Sequence, residues 1–167
     1  MGLFDKFKKE EKVTVEFPIT MKATAEGELV AMKDIPDPVF SQGMVGPCVG
    51  IEPAKGTVAA PCDGKIATLS DTLHAFGMEV PGGVQLLVHI GIDTVNMKGE
   101  GFKAFVKAGD TVKAGQPIVE VDLDKVREAG HPTVIMTIVQ NAGEFKNVSF
   151  KEQGQVAFSD DLITIEN

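Results

Sequence analysis

The sequence predicts an all-β protein, a sandwich or barrel with an internal duplication and one short helix. Three observations carry this. Gly and Pro number 18 and 9 in 167 residues, above the roughly 20 that average usage gives for the two together, so the chain turns often. Short β-branched and apolar runs recur between turn residues, the spacing of an all-β fold. A ten-residue pattern also occurs twice. Ala23–Met32 (ATAEGELVAM) and Ala60–Leu69 (APCDGKIATL) share A-x-x-acid-G-x-aliphatic-x-x-aliphatic at an offset of 37.

In chain order, residues 1–12 (MGLFDKFKKEEK) come first, with net charge +1. They set Leu3, Phe4 and Phe7 at helical spacing among four lysines. This segment reads as a disordered tail or as an amphipathic helix on an anionic membrane surface. The two are compatible, since so short a helix is marginal in water. Residues 13–167 are expected to form one domain. Val13–Phe17 alternates as a strand does, and Thr133–Val139 (TVIMTIV) has the composition of a buried one. Val148–Phe150, Val156–Phe158 and Leu162–Ile165 are further short strands. Gly109–Gln116 has the spacing of a strand pair folding back. Only Asp122–Gly130 reads as a helix, with an acidic start and a Gly-His-Pro stop. The acid-Gly pair of each repeat reads as a tight turn opening a strand. The offset of 37 also sets Asp37 against His74, at equivalent points of two related units.

Composition narrows the function. Apolar residues make up 43%, which excludes a disordered chain. A net charge of −8, a single Arg and no Trp or Tyr argue against nucleic acid as the partner. No apolar run approaches the ~20 residues of a membrane span, and the N-terminus has no apolar signal core. The expectation is a cytoplasmic protein, peripheral at the inner face of the membrane where the tail meets lipid. Cys48 and Cys62 form no C-x-x-C pair and read as packed thiols.

Chemistry must then run largely on three histidines. In Gly83–Val95 (GVQLLVHIGIDTV), strand alternation puts Val84, Leu86, Val88 and Ile90 on the core face, with Gln85, Leu87 and His89 on the other. A lone His there would usually be a half-exposed packing residue. A second one, His74, sits on a turn-like segment leading into the hairpin, while His131 follows the helix and reads as a surface loop residue. Two histidines suit zinc, acid–base hydrolysis or a phosphohistidine nucleophile. Zinc needs three or four ligands. Asp93 is the nearest third, but four strand residues span about 13 Å, so it reaches only if the chain bends at Gly91. Hydrolysis needs a substrate pocket. A phosphohistidine needs one imidazole with a free ring nitrogen and donors for the phosphoryl oxygens.

Gly83–Val95 is similar to the phosphorylation-site signature of the glucose-type enzyme IIA family of the bacterial phosphoenolpyruvate:sugar phosphotransferase system. Thr72–Phe76 resembles its T-x-H-A-F segment, Pro36–Phe40 its P-D-x-V-F segment and Lys98–Phe102 its K-G-E-G-F. The likeness extends to the MGLFDK start and fades after about Asp122. It implies an antiparallel β-sandwich or distorted barrel and a phosphoryl carrier without a cofactor. Phospho-HPr would phosphorylate His89 as a tele-phosphohistidine, and His89 would pass the group to a cysteine on the IIB domain of a membrane sugar permease. His74 would stabilise the phosphoryl group, with Thr72 orienting His74. A shallow apolar surface of Val39, Phe40, Met44, Val45, Leu87 and Val95, rimmed by Asp37 and Asp93, would receive the partners. The family implies no resident metal. It does imply regulatory targets, one of which shares a zinc ion between the two histidines and its own carboxylate. Pro38 and Leu87 stand where other apolar residues are common. A rival reading, a zinc hydrolase of lysostaphin type, needs an H-x-H that the chain lacks.

Overall fold

A computed structural model describes residues 15–167. The predicted tail at 1–12 lies outside the described residues. The short apolar runs become strands: β1 (Ile19–Lys22), β2 (Gly27–Val30), β3 (Cys48–Pro53), β4 (Thr57–Ala59), β5 (Gly64–Leu69), β6 (Ala75–Val80), β7 (Val84–Ile90), β8 (Phe102–Ala104), β9 (Thr111–Val112), β10 (Pro117–Val121), β11 (Ile135–Val139), β12 (Asn147–Phe150), β13 (Gln155–Val156) and β14 (Asp161–Glu166). They form one eight-stranded sheet, β9-β5-β6-β7-β11-β3-β2-β13, and two three-stranded sheets, β4-β10-β8 and β12-β14-β1. Every pairing is antiparallel and no sheet closes into a barrel, as expected of a sandwich.

The duplication predicted from ten residues runs through the whole hydrogen-bond register. Gly64 of β5 pairs with Val112 of β9, and Gly27 of β2, 37 residues earlier, pairs with Val156 of β13. Val58 of β4 pairs with Val119 and Met21 of β1 with Ile163, again 37 apart, each beside an irregularity in the partner strand. The two halves also bond each other reciprocally. The Ala59 N–H donates to the Thr24 carbonyl and the Lys22 N–H to the Pro61 carbonyl, both at 2.8 Å. A pseudo-two-fold axis therefore passes between the central strands β7 and β11, where His89 faces Met136 and Leu87 faces Ile138.

The halves differ most at the β2–β3 connection. Lys65 pairs with Glu79 in β6, whereas its mate Glu28 pairs with Glu52 in β3. The offset has dropped from 37 to 27, so the β2–β3 connection is ten residues longer than the β5–β6 turn. That extra chain holds a 3-10 turn (Met32–Asp34) and helix α1 (Pro38–Ser41). It overturns the expected equivalence of Asp37 and His74: the His74 carbonyl accepts from Ile90 as the Pro47 carbonyl accepts from Val139, so the mate of His74 is Pro47.

Helix α1 corrects the expectation of a single helix. Its signals were an N-cap and a proline at the first turn: Asp37 accepts from the Val39 N–H at 2.9 Å, and Pro38 follows it. The expected helix is α2 (Leu123–Glu128), capped by Asp122 and followed by Gly130 at φ +85°. Two strand expectations are also corrected. Of the expected strand Val13–Phe17, residues 13 and 14 lie outside the described residues and 15–17 carry no strand; β1 starts at Ile19, after Pro18, which has no N–H for a ladder. The Gly109–Gln116 segment is no hairpin: β9 joins β5 while β10 joins β4. The turn between them is drawn onto the end of β4, with Gly115 donating to Ala60 and Ala60 to Gln116.

The main core fills the inner faces of the sheets, including Ile66, Phe76, Leu86, Val88, Ile118, Ile135 and Ile163. A smaller second cluster of Ile35, Phe40, Cys48, Ile92, Val134, Met136 and Ile138 covers the other face of β7, β11 and β3. This explains why β11 is buried along its whole length. No helix among the described residues is long and apolar enough to cross a membrane.

Candidate functional site

Strand β7 alternates as predicted. Leu86, Val88 and Ile90 are buried, while Leu87 and His89 on the opposite face are half-buried. At the strand end the His89 Nδ1 lies 2.8 Å from the Gly91 carbonyl oxygen. A carbonyl only accepts, so Nδ1 carries the proton and the lone pair of the neutral ring is on Nε2. The carbonyl is held in place. Gly91 donates to the Val134 carbonyl and Ile92 to the Pro132 carbonyl, and the buried Thr94 hydroxyl donates to the Ile90 carbonyl. Gly91 sits at φ +75°, and a Cβ there would meet Thr94 Cγ2 at 2.5 Å.

His74 lies on the β5–β6 turn. Leu73 before it adopts φ +63°, a left-handed conformation uncommon for a bulky residue. The same turn sets the Thr72 hydroxyl 2.6 Å and the Ser70 hydroxyl 3.3 Å from His74 Nδ1. The His74 carbonyl accepts the Ile90 N–H at 2.7 Å, which ties the turn to β7. The two imidazoles meet edge to face at 78°, with centroids 5.1 Å apart. Phe40 packs on His89 from the other side at 4.9 Å.

Burial holds the protonation of both histidines below the ordinary range. For His89 this is the largest effect; the bond to Gly91 opposes it, His74 adds to it, and the carboxylates of Asp37 and Asp93 oppose it. For His74 burial acts alone. Both rings are thus neutral at neutral pH. Burial pushes the Cys48 thiol to about 11 and the Cys62 thiol to about 12, leaving neither as a thiolate. Among the described residues, no three His, Cys, Asp or Glu side chains converge on a metal-sized site.

Around the histidines the surface is shallow and apolar. Val39, Met44 and Val95 are 44, 70 and 49% exposed. Val45 and Leu87 are half-buried against the second cluster. Phe40 is only 8% exposed and acts by packing on His89 rather than by open surface. Asp93 is exposed, and Asp37 is half-buried with its carboxylate capping α1. His131 is half-buried beside α2, in a separate cleft with Lys98, Glu100 and Glu128. Ser70 was missed from sequence. A serine four residues before a histidine carries no motif weight, and the contact exists only because Leu73 reverses the chain.

Three comparisons bear on this site. Residues 19–145 match the family model described as phosphoenolpyruvate-dependent sugar phosphotransferase system, EIIA 1. The chain is 43% identical over 148 residues to the glucose-specific EIIA component of Halalkalibacterium halodurans, covering 79% of this chain and 86% of that one. It is 38% identical over 164 residues to the glucose-specific EIIA component of Haemophilus influenzae, covering 98% and 97%. It is also 36% identical over 156 residues to the glucoside-specific EIICBA component of Staphylococcus carnosus, spanning 93% of this chain but only 22% of that longer protein. Among solved structures, the glucose permease IIA from Mycoplasma capricolum superposes with a TM-score of 0.75 at 30% identity, covering 89% of this chain and 96% of that one.

Proposed function

The chain belongs to the EIIA 1 family of the phosphoenolpyruvate-dependent sugar phosphotransferase system, and from that premise we propose that it carries a phosphoryl group on His89, from phospho-HPr to a IIB-domain cysteine. The observation that supports this best is the bond from His89 Nδ1 to the Gly91 carbonyl, beside His74. With the proton held on Nδ1, Nε2 is the ring nitrogen with a lone pair free to attack.

In the first step the Nε2 lone pair attacks the phosphorus of phospho-HPr. A new N–P bond forms on His89 as the donor's N–P bond breaks, and its electron pair returns to the donor imidazole. Positive charge grows on the His89 ring, and Nδ1–H shares it with the Gly91 carbonyl. Phosphoryl oxygens gather negative charge, and the neighbouring His74 donates a hydrogen bond to them while Thr72 orients its ring. In the second step a cysteine thiolate attacks the same phosphorus, an S–P bond forms and the His89 N–P bond breaks. Because both partners must reach one atom, they share the surface of Val39, Met44 and Val95 in turn. Phe40, Val45 and Leu87 support it from beneath. Asp37 and Asp93 attract a basic carrier and speed encounter. The relatives' names support a permease for glucose or a related glucoside.

The test is incubation with phosphoenolpyruvate, enzyme I and HPr. The expected product is an acid-labile, base-stable phosphoprotein that His89→Ala abolishes. Absence of label from the native chain, or label persisting in the variant, refutes the proposal.

A further inference from the structure

We propose that Ser70 is a second positioning residue for His74, acting with Thr72 to fix the imidazole tautomer that keeps its proton on Nε2. The inference rests on the reading of His74 as the donor to the phosphoryl group. The turn that carries Ser70 is closed on itself three ways. The Ser70 N–H donates to the Ala75 carbonyl at 3.0 Å, the Leu73 N–H donates to the Ser70 carbonyl at 2.9 Å, and the Ala75 N–H donates to Ser70 Oγ at 3.2 Å. The Ser70 hydroxyl is therefore held by its own backbone, and Oγ stands 3.3 Å from His74 Nδ1.

The Ala75 bond gives the hydroxyl its direction. An oxygen that accepts from an amide is polarised to donate its own proton, and the His74 Nδ1 is the acceptor in reach. Thr72 alone would not decide the tautomer. Its hydroxyl at 2.6 Å can donate to an Nδ1 lone pair or accept from an Nδ1–H equally well. Two hydroxyls on one ring nitrogen break that tie, because a lone pair accepts from both whereas a single N–H is directed at one. The bonding network thus assigns Nδ1 as acceptor and Nε2 as donor. Burial keeps the ring neutral, so the assignment matters at neutral pH. The same logic seen at His89 runs in reverse: there a carbonyl puts the proton on Nδ1 and frees Nε2 to attack. The two neighbouring rings end with complementary Nε2 atoms, one a nucleophile and one a donor.

The test is 15N NMR of the histidine ring nitrogens in the unphosphorylated native chain, Ser70→Ala and Ser70→Thr, with single-turnover transfer to a IIB domain. The native His74 should show an unprotonated Nδ1 and a protonated Nε2. In Ser70→Ala the two signals should move toward each other as tautomers mix. Onward transfer should fall about three- to tenfold, the weight of one neutral hydrogen bond. Ser70→Thr should restore both. A native Nδ1–H, unchanged signals in Ser70→Ala, or a rate loss without a tautomer shift would each overturn the proposal. The NMR result stands whether or not His89 is phosphorylated, so it fails separately from the carrier reading, which falls if the native chain takes no label.

Discussion

As the proposed phosphoryl carrier, His89 would have to be buried enough to stay neutral and open enough to meet two proteins. Half-burial beneath Phe40 and beside His74 meets both demands, and it leaves a thermodynamic signature. Burial lowers its protonation below the ordinary value against the opposing pull of the Gly91 bond and the nearby carboxylates. The native state then binds fewer protons than the unfolded chain from about pH 6.5 downward, so stability falls as pH falls through that window. His74 is shifted the same way and adds to the slope. Urea unfolding at a series of pH values should show a flatter acid-side slope in His89→Gln than in the native chain. An equal or steeper slope would mean that burial does not depress its protonation. The alternation of β7 and the turn-borne second histidine made both residues legible in the sequence. The direction of their hydrogen bonds was not, since the Gly91 carbonyl and the Ser70 hydroxyl reach them through left-handed turns at Gly91 and Leu73.

Those turns are the elements that convert a plain sheet into a site. Where β7 ends, Gly91 turns the chain so that its own carbonyl faces back to the ring two residues earlier. Gly91→Ala would place a Cβ 2.5 Å from Thr94 Cγ2 and 3.0 Å from the Pro132 carbonyl oxygen, at φ +75°. The expected cost is about 2 kcal/mol of stability from strain and crowding. Phosphoryl acceptance should slow as well, because the carbonyl that fixes Nδ1–H is displaced. Denaturant midpoints and the rate of labelling by phospho-HPr measure the two effects. A variant with native midpoint and native rate would show that the turn tolerates a side chain and that the carbonyl is not critical. Helix α1 is the other site-building element, and it was overlooked for a physical reason. Four residues are too few to show a 3.6-residue period, so only the Asp37-Pro38 cap announced it. Longer elements were plainer: α2 had an acidic cap and a glycine stop, and β11 a continuous apolar run.

Across the whole molecule, the pseudo-two-fold explains why there is one site and not two. The axis between β7 and β11 carries His89 onto Ile138, because the pair His89–Met136 becomes Ile138–Leu87. Ile138 lies in the second core cluster with Phe40, beneath the longer β2–β3 connection. That connection covers the mate of His89 and delivers Asp37 and Phe40 to the histidine of the other half. A ten-residue repeat was enough to foretell the duplication, but the allocation of β9 and β10 to different sheets depends on contacts with β5 and β4 that no local pattern encodes. The duplication also predicts paired sensitivities. Gly27 and Gly64 are mates that open β2 and β5, and each sits against the backbone of a neighbouring strand. A Cβ would lie 2.0 Å from the Glu52 carbonyl oxygen at Gly27 and 2.7 Å from the Glu79 carbonyl oxygen at Gly64. Neither glycine has positive φ, so close approach rather than backbone strain excludes a side chain. Both alanine variants should lower the unfolding free energy read from urea titrations, Gly27→Ala by about 2–4 kcal/mol and Gly64→Ala by about 1–2 kcal/mol. The order follows from the deeper overlap with a sheet backbone that cannot step aside. Equal losses, or a greater loss at Gly64, would show that the two halves relax differently and that the symmetry does not extend to how they bear strain.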